Sequence, residues 1–367
     1  MLKKAKETMT SRERVLKTFR FEKVDRLAVD YSANPIVHGK LAQTLGFSPN
    51  DYESVFQALG VDYRNIGVRY KGKKLFQDME GRETHPVYGY RSRWVENPSG
   101  GYQDFCDFPL MDADDEEIAG FPVADPDDFD YEPIDAMLTL YADKALYAGD
   151  AGYADIINAT GRVMGMEQTL VNLFTEDEAT LEYIRRRSNM ELGILERILE
   201  KAKGRIDFLF FGEDLGAQHA PLISPALYKN VIKPFHKQYA DLAKAYGLPI
   251  MVHSCGYSSW AYDDFIDIGV NAVDTLQPEA ANMQPAYLKT RYGHKLSFHG
   301  GISTAGPLVT GTADEVYKLV SETAEIYNKG GGYTAAPTHM IQDNTPVENI
   351  LAMYQAAHDF DVGRSFE

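Results

Sequence analysis

The sequence predicts an α/β barrel, because from Glu132 onward short apolar runs alternate with amphipathic helices and five successive runs end in side chains able to do chemistry. Strict alternation of strand and helix calls for parallel strands joined by crossover helices. In such barrels the strand C-termini converge on one face, and the active site is built there. A length of 367 residues, with 44% hydrophobic and 25% charged residues, suits a large buried core. Barrels of this class reach that size as a single domain, so residues 1–367 are read as one.

The elements follow in chain order. Thr10-Ser11-Arg12-Glu13 reads as a helix start, with hydroxyls to cap free amides and an acid in the first turn. That helix ends before Asp25-Arg26, and LAVDYS follows as the first strand. From Asp51 to about Glu132 aromatics, Gly, Pro and acidic clusters are dense. This texture predicts an irregular antiparallel insertion, near residues 60–132, lying over the barrel mouth. Its tyrosines, Tyr63, Tyr70, Tyr88, Tyr90 and Tyr102, either line an aromatic-accepting mouth or pack the insertion itself. Cys106, with no neighbouring His, reads as structural.

Beyond the insertion, helical spacing predicts helices over 134–148, 165–173, 176–203 and 226–246. Strands are predicted at ADIINAT (154–160), DFLFFGED (207–214), PIMVHSC (249–255), NAVDTLQP (271–278), KLSFHGG (295–301) and GGYTAAPTH (331–339). With LAVDYS these make seven, one short of a closed eight-stranded barrel.

A formal net charge of −17 disfavours nucleic acid and anionic membranes as partners. Two cysteines make no disulfide framework, and no run approaches the roughly 20 apolar residues of a membrane span. The N-terminus has no apolar secretion core, so a cytoplasmic location is expected. The oligomeric state stays open.

The polar ends of the runs carry the chemistry. Glu213-Asp214 closes one run, His253 and Cys255 the next, then Gln277, His299 and His339. His253 and Cys255 are two apart in an extended segment, so imidazole and sulfur share a face. Neutral imidazole with thiolate suits zinc, whose catalytic sites take three protein ligands and keep one position open. The plainer alternative is a buried Cys beside a hydrogen-bonded His. Glu213 enters from the buried FLFF strand and needs a partner: a metal, a proton to abstract, or a loop amide. His299-Gly300-Gly301 reads as a tight turn where backbone approaches a ligand, or as a packed strand end. No Gly-rich stretch fits a nucleotide-binding pattern.

Ser11-Arg12-Glu13-Arg14-Val15, Phe211-Gly212-Glu213-Asp214-Leu215-Gly216, His253-Ser254-Cys255-Gly256, Phe298-His299-Gly300-Gly301-Ile302 and Asn344-Thr345-Pro346-Val347-Glu348-Asn349 together resemble the uroporphyrinogen decarboxylase superfamily. The resemblance spans nearly the whole chain and implies a (β/α)8 barrel. The decarboxylase branch carries substrate-binding arginines near its first strand, where this chain reads LAVDYSANP, without arginine. The His-x-Cys-Gly segment is instead similar to the branch of zinc-dependent methyltransferases that work with a corrinoid protein. That branch's third ligand is a cysteine shortly before the final Thr-Pro; here His339 stands in that place. His339 then serves as a zinc ligand, or it resembles the histidine of the decarboxylases.

The resemblance implies a methyltransferase moving a methyl group between a small methoxylated or methylated compound and a corrinoid carried by a partner protein. Zinc is expected on His253, Cys255, Glu213 and His339, with Glu213 and His339 catalytic and Asp214, Gln277 and His299 binding substrate. Two alternatives stand beside it: a metal-free decarboxylase of a smaller acid, and a non-catalytic barrel that carries a corrinoid or tetrapyrrole.

Overall fold

The computed structural model describes residues 2–366. Eight parallel strands form the barrel: β1 (Ala28–Val29), β2 (Tyr63–Asn65), β3 (Ala145–Gly149), β4 (Phe208–Gly212), β5 (Ile250–His253), β6 (Ala272–Thr275), β7 (Ser297–Ile302) and β8 (Tyr333–Pro337). Hydrogen-bonded neighbours run in the order β1, β8, β7 and on down to β2. The (β/α)8 expectation therefore holds.

The strands are apolar almost throughout because both faces are covered. Alternate residues divide between the two faces. Leu209, Phe211, Val252, Val273 and Phe298 pack in the main core cluster with the surrounding helices. Ala28, Tyr63, Ala145, Phe208, Met251 and Ala272 form a separate cluster inside the barrel, joined by Val15 of the first helix. That helix, Ser11–Phe19, starts at Thr10 with the expected capping box to Glu13 and plugs the N-terminal end. Two residues further along the strands, the same inward parity delivers Phe210, His253, Asp274 and His299.

The seam between β1 and β2 has no ladder of its own and is closed by one residue. The Asp62 amide donates to the Val29 carbonyl at 3.0 Å, and the Val29 amide donates to Asp62 Oδ2 at 2.9 Å. The fully buried Asp62 carboxylate also accepts from Arg14 Nη1 at 2.7 Å and from Arg26 Nη1 at 2.8 Å. Arg14 reaches on to Asp25, whose carboxylate accepts from the amides of Thr8 and Met9 as well. Burial raises the Asp25 pKa, but the Arg14 bond and these amides outweigh it and bring it to about 2 from 3.8. A depressed carboxyl pKa contributes stability that is fully present above the unfolded value and lost as pH falls through the folded one. Acid titration of native protein should therefore weaken the seam between about pH 4 and pH 2, and Asp25→Asn should flatten the unfolding free energy across that window. An unchanged profile would remove Asp25 from the seam.

Three expectations need correction. The segment 154–160 is not a strand: Ile157–Met164 is a helix, started by an acceptor from elsewhere in the fold. The predicted 134–148 helix ends at Leu140, and its last part is β3. ALYAG is short and small-sided, so its period cannot separate strand from helix. Within the insertion, Tyr52–Leu59 is a helix capped by Asp51, and Tyr63–Asn65 is the barrel strand missing from the count. The antiparallel part lies beyond it: Glu83–Thr84, Arg91–Asn97 and Gly100–Cys106 make one sheet, and Arg69–Tyr70 pairs with Phe129–Asp130.

The insertion does reach the barrel mouth. The Gly101 amide donates to Asp343 Oδ2, beyond β8, at 3.3 Å. None of the five tyrosines singled out lines the mouth cavity. Tyr63 is inside the barrel, bonded to Thr334, while Tyr70 packs on Phe129 and Tyr88 and Tyr90 lie against His85. Tyr102 is exposed on the hairpin. Among the described residues no helix is long and apolar enough to cross a membrane.

Candidate metal centre and mouth cavity

Strand register builds the centre. His253 of β5 pairs with Asp274 of β6, and Asp274 pairs with His299 of β7, so the three stand in one row across adjacent strands. Asp274 bridges the two imidazoles: Oδ2 lies 2.7 Å from His253 Nδ1, and Oδ1 lies 2.6 Å from His299 Nδ1. Burial alone disfavours charge on all three. The mutual bonds prevail, holding Asp274 well below the carboxylate range, raising His253 and lifting His299 to about 10. Asp274 was not among the residues singled out from sequence. Its signal was present, since a lone acid inside the apolar run AVDT must find a partner.

His253 turns its other nitrogen to two more donors. Nε2 lies 3.4 Å from Cys255 Sγ and 3.7 Å from Asp214 Oδ1. The ligand atoms of Asp214, His253 and Cys255 all fall within 4.8 Å of one another. A tetrahedral ion with bonds of about 2.0–2.3 Å has ligand-to-ligand edges of roughly 3.3–3.7 Å, and the separations of the imidazole nitrogen from sulfur and from oxygen match such edges. The Asp274 carboxylate behind the imidazole fixes the ring so that Nε2 faces the other two donors.

Two loops must touch for this to happen. The loop after β4 carries Asp214 and the loop after β5 carries Cys255. They meet at Gly216 and Gly256; a Cβ on Gly256 would lie 2.1 Å from the Gly216 carbonyl oxygen. The Cys255 amide donates to Asp214 Oδ1 at 2.8 Å, and the Gly256 amide donates to Gln277 Oε1 at 2.5 Å. Gln277 thus steadies the cysteine loop and does not line the cavity.

The structure does not bring Glu213 to this group. Its carboxylate turns outward between barrel and helices, accepting from the amides of Ile156 at 2.9 Å and Ile157 at 3.0 Å. It caps the helix that carries Asn158 and Arg162 to the mouth. Burial pushes Glu213 up to about 8, against the pull of the two amides. Glu213→Ala should cost about 1–3 kcal/mol for each buried amide left without an acceptor. It should leave metal content unchanged. Loss of metal with an intact melting temperature would instead make Glu213 a ligand. The adjacent Asp214 faces the mouth in its place, with Oδ2 accepting from Asn158 Nδ2 at 2.9 Å.

A cavity of about 460 Å³ opens at this end of the barrel. Asp214, His253, Asp274 and His299 line it, beside Tyr31, Tyr147 and Phe210. His339 lies on its rim, exposed and outside the close trio. Asp30 and Asp150, which follow β1 and β3, also face the cavity and were missed from sequence. The strand-end rule would have found Asp30 in LAVDYS; Asp150 was hidden because β3 was read as helix.

The uroporphyrinogen decarboxylase (URO-D) family model matches residues 161–360, more than half of the chain. The chain belongs to the URO-D family. The match covers β4 to β8 and with them every donor of the trio. Among solved structures, this URO-D family chain is similar in fold to a methyltransferase from Methanosarcina mazei. The TM-score is 0.65 at 14% identity, covering 95% of this chain and 98% of the other. No curated protein matches it.

Proposed function

We propose that this URO-D family chain is a zinc-dependent methyltransferase, moving a methyl group between a small methylated or methoxylated compound and a corrinoid carried by a partner protein. One observation carries the reading. Asp214, His253 and Cys255 present oxygen, nitrogen and sulfur toward one point beside the mouth cavity, with His253 oriented from behind by Asp274. The fold shared with a methyltransferase supports it. Zinc, when bound, supplies Lewis acidity to the substrate heteroatom and makes it a better leaving group.

The chain's own residues do the rest. Asp274 holds the Nδ1 proton of His253, and the Cys255 amide fixes the Asp214 carboxylate that faces it. Three protein donors leave a fourth position for substrate, as catalytic zinc requires. Tyr31, Tyr147 and Phe210 supply the apolar wall against which the methyl-bearing group is held away from water. A cytoplasmic setting suits a chain whose two cysteines are both free.

The decarboxylase reading draws on the family alone. The segment after β1 gives Asp30 and Tyr31 to the cavity where carboxylate-binding arginines would be needed.

Two assays test the proposal. Elemental analysis after gentle purification should find one zinc per chain. Methylation of a reduced corrinoid, followed by its absorbance, should proceed with a member of a panel of methoxylated aromatics and methylamines. Less than about a tenth of a metal per chain, the level of adventitious contamination, would overturn the zinc assignment. Coproporphyrinogen formation from uroporphyrinogen would put the decarboxylase in its place.

A further inference from the structure

Strand β6 leaves strand geometry at its last residue. Thr275 has a φ of 86°, and Leu276 after it has a φ of 58°. Both side chains are buried. Left-handed backbone is uncommon for any residue with a Cβ and an outlier for a β-branched one such as threonine. The next strand makes room for the turn. Gly300 is the register partner of Thr275, and a Cβ there would lie 2.4 Å from the Thr275 carbonyl oxygen. Strain of this kind persists only where surrounding contacts hold it.

The contacts that hold it lead to the cysteine loop. Asp274 Oδ2 is bonded to His253 Nδ1 at 2.7 Å. The Thr275 hydroxyl donates to the Ser254 carbonyl at 2.8 Å, and Gln277 Oε1 accepts from the Gly256 amide at 2.5 Å. The end of β6 thus grips His253, Ser254 and Gly256 in turn, and Cys255 lies between the last two. In regular extended chain Asp274 and Thr275 would take opposite faces. The left-handed turn brings both onto one segment of the neighbouring strand end. Ser254 supplies no ligand, but holding its carbonyl fixes the peptide that leads into Cys255.

We propose that Thr275 is a positioning residue: its strained turn sets a hydroxyl on the Ser254 carbonyl and so fixes the Cys255 sulfur beside His253 Nε2 before any ion arrives. The inference rests on the proposed function for the identity of the ion, zinc. The clamp itself is a property of the metal-free chain. A site held ready in this way binds its ion without first ordering a loop, so strain in the free chain returns as affinity.

Thr275→Val and Thr275→Ser test this in the full-length protein. Valine keeps the shape and the β-branch of threonine but has no hydroxyl, whereas serine keeps the hydroxyl. Ser258 Oγ also donates to the Ser254 carbonyl, at 3.1 Å, so Thr275→Val does not leave that oxygen without a partner. In metal-free protein, hydrogen exchange at the Cys255 and Gly256 amides should quicken roughly fivefold or more in Thr275→Val, the equivalent of one hydrogen bond, while the barrel core is unchanged. Thr275→Ser should exchange as the wild type does. Zinc affinity, measured by competition with a chromogenic chelator, should fall about 10–100-fold in Thr275→Val, the effect of losing an outer partner, and recover in Thr275→Ser. Thr275→Ala, which also sheds the β-branch, repeats both measurements should the valine variant not fold. Wild-type exchange in the variants without the hydroxyl would overturn the proposal. So would a serine variant that exchanges as fast as the valine one, by assigning the effect to the γ-methyl group. Faster exchange with zinc bound as tightly as in the wild type would overturn it too, by making the bond a loop contact alone. Faster exchange in a protein whose wild type takes up no zinc would sink the zinc reading and leave the clamp standing.

Discussion

Under the proposed function, Cys255→Ser is expected to give a folded barrel that neither retains zinc nor transfers methyl groups. Serine is close to cysteine in size, and the Cys255 amide that donates to Asp214 is untouched, so the loop keeps its anchor. The hydroxyl, however, is a far poorer zinc ligand at neutral pH than a thiolate. Loss of a direct donor should exceed the roughly 10–100-fold cost of losing an outer partner. The checks are metal per chain, the thermal midpoint without metal, and the rate of corrinoid methylation. Wild-type metal content and rate in this variant would make the sulfur a packing atom and remove the carrying observation of the proposal.

Asp62→Asn should cost about 3–5 kcal/mol of folding stability, because it leaves the buried Arg14 and Arg26 guanidiniums without their shared counter-charge. Burial by itself would raise the Asp62 pKa; Arg26 and Arg14 outweigh it and hold the carboxyl below its usual range. The asparagine oxygen can still accept from Val29, so the loss isolates charge from shape. Urea unfolding at neutral pH measures it. The exposed Lys237–Asp241 pair is the control, since removing Asp241 should cost no more than about 0.5 kcal/mol. A loss below about 1 kcal/mol for Asp62→Asn would mean that water has replaced the pairing and that the seam is held by its backbone bonds.

The two results probe opposite ends of one barrel. The N-terminal end is closed by a plug helix and buried ion pairs, which serve stability. The C-terminal end carries paired and unpaired polar groups around a cavity, which serve chemistry. His253, Asp274 and His299 stand one layer above Phe208, Met251 and Ala272, so the reactive row rests on a packed apolar floor.

The sequence by itself determined the class of fold, because repeated alternation of helix and strand has few compact solutions and parallel strands need crossovers. It also determined which end of the barrel to examine, since polar residues terminating apolar strands have nowhere to go but the mouth. The pair His253 and Cys255 was legible for a local reason, two residues apart at a strand end, although β5 stops at His253 and Cys255 lies in the loop that follows. Only the tertiary structure decided which carboxylate joins them. Glu213 and Asp214 are adjacent, and in extended chain adjacent side chains take opposite faces, so one must cap the neighbouring helix and the other must meet the histidine. Which does which depends on where Ile156 and Ile157 sit, and those amides are more than fifty residues away in sequence. The same holds for Asp274, whose role comes from register with two neighbouring strands, and for Arg162, which reaches the cavity on a helix that itself forms against Glu213. Long-range pairing sets these positions, and no local period in the chain encodes it.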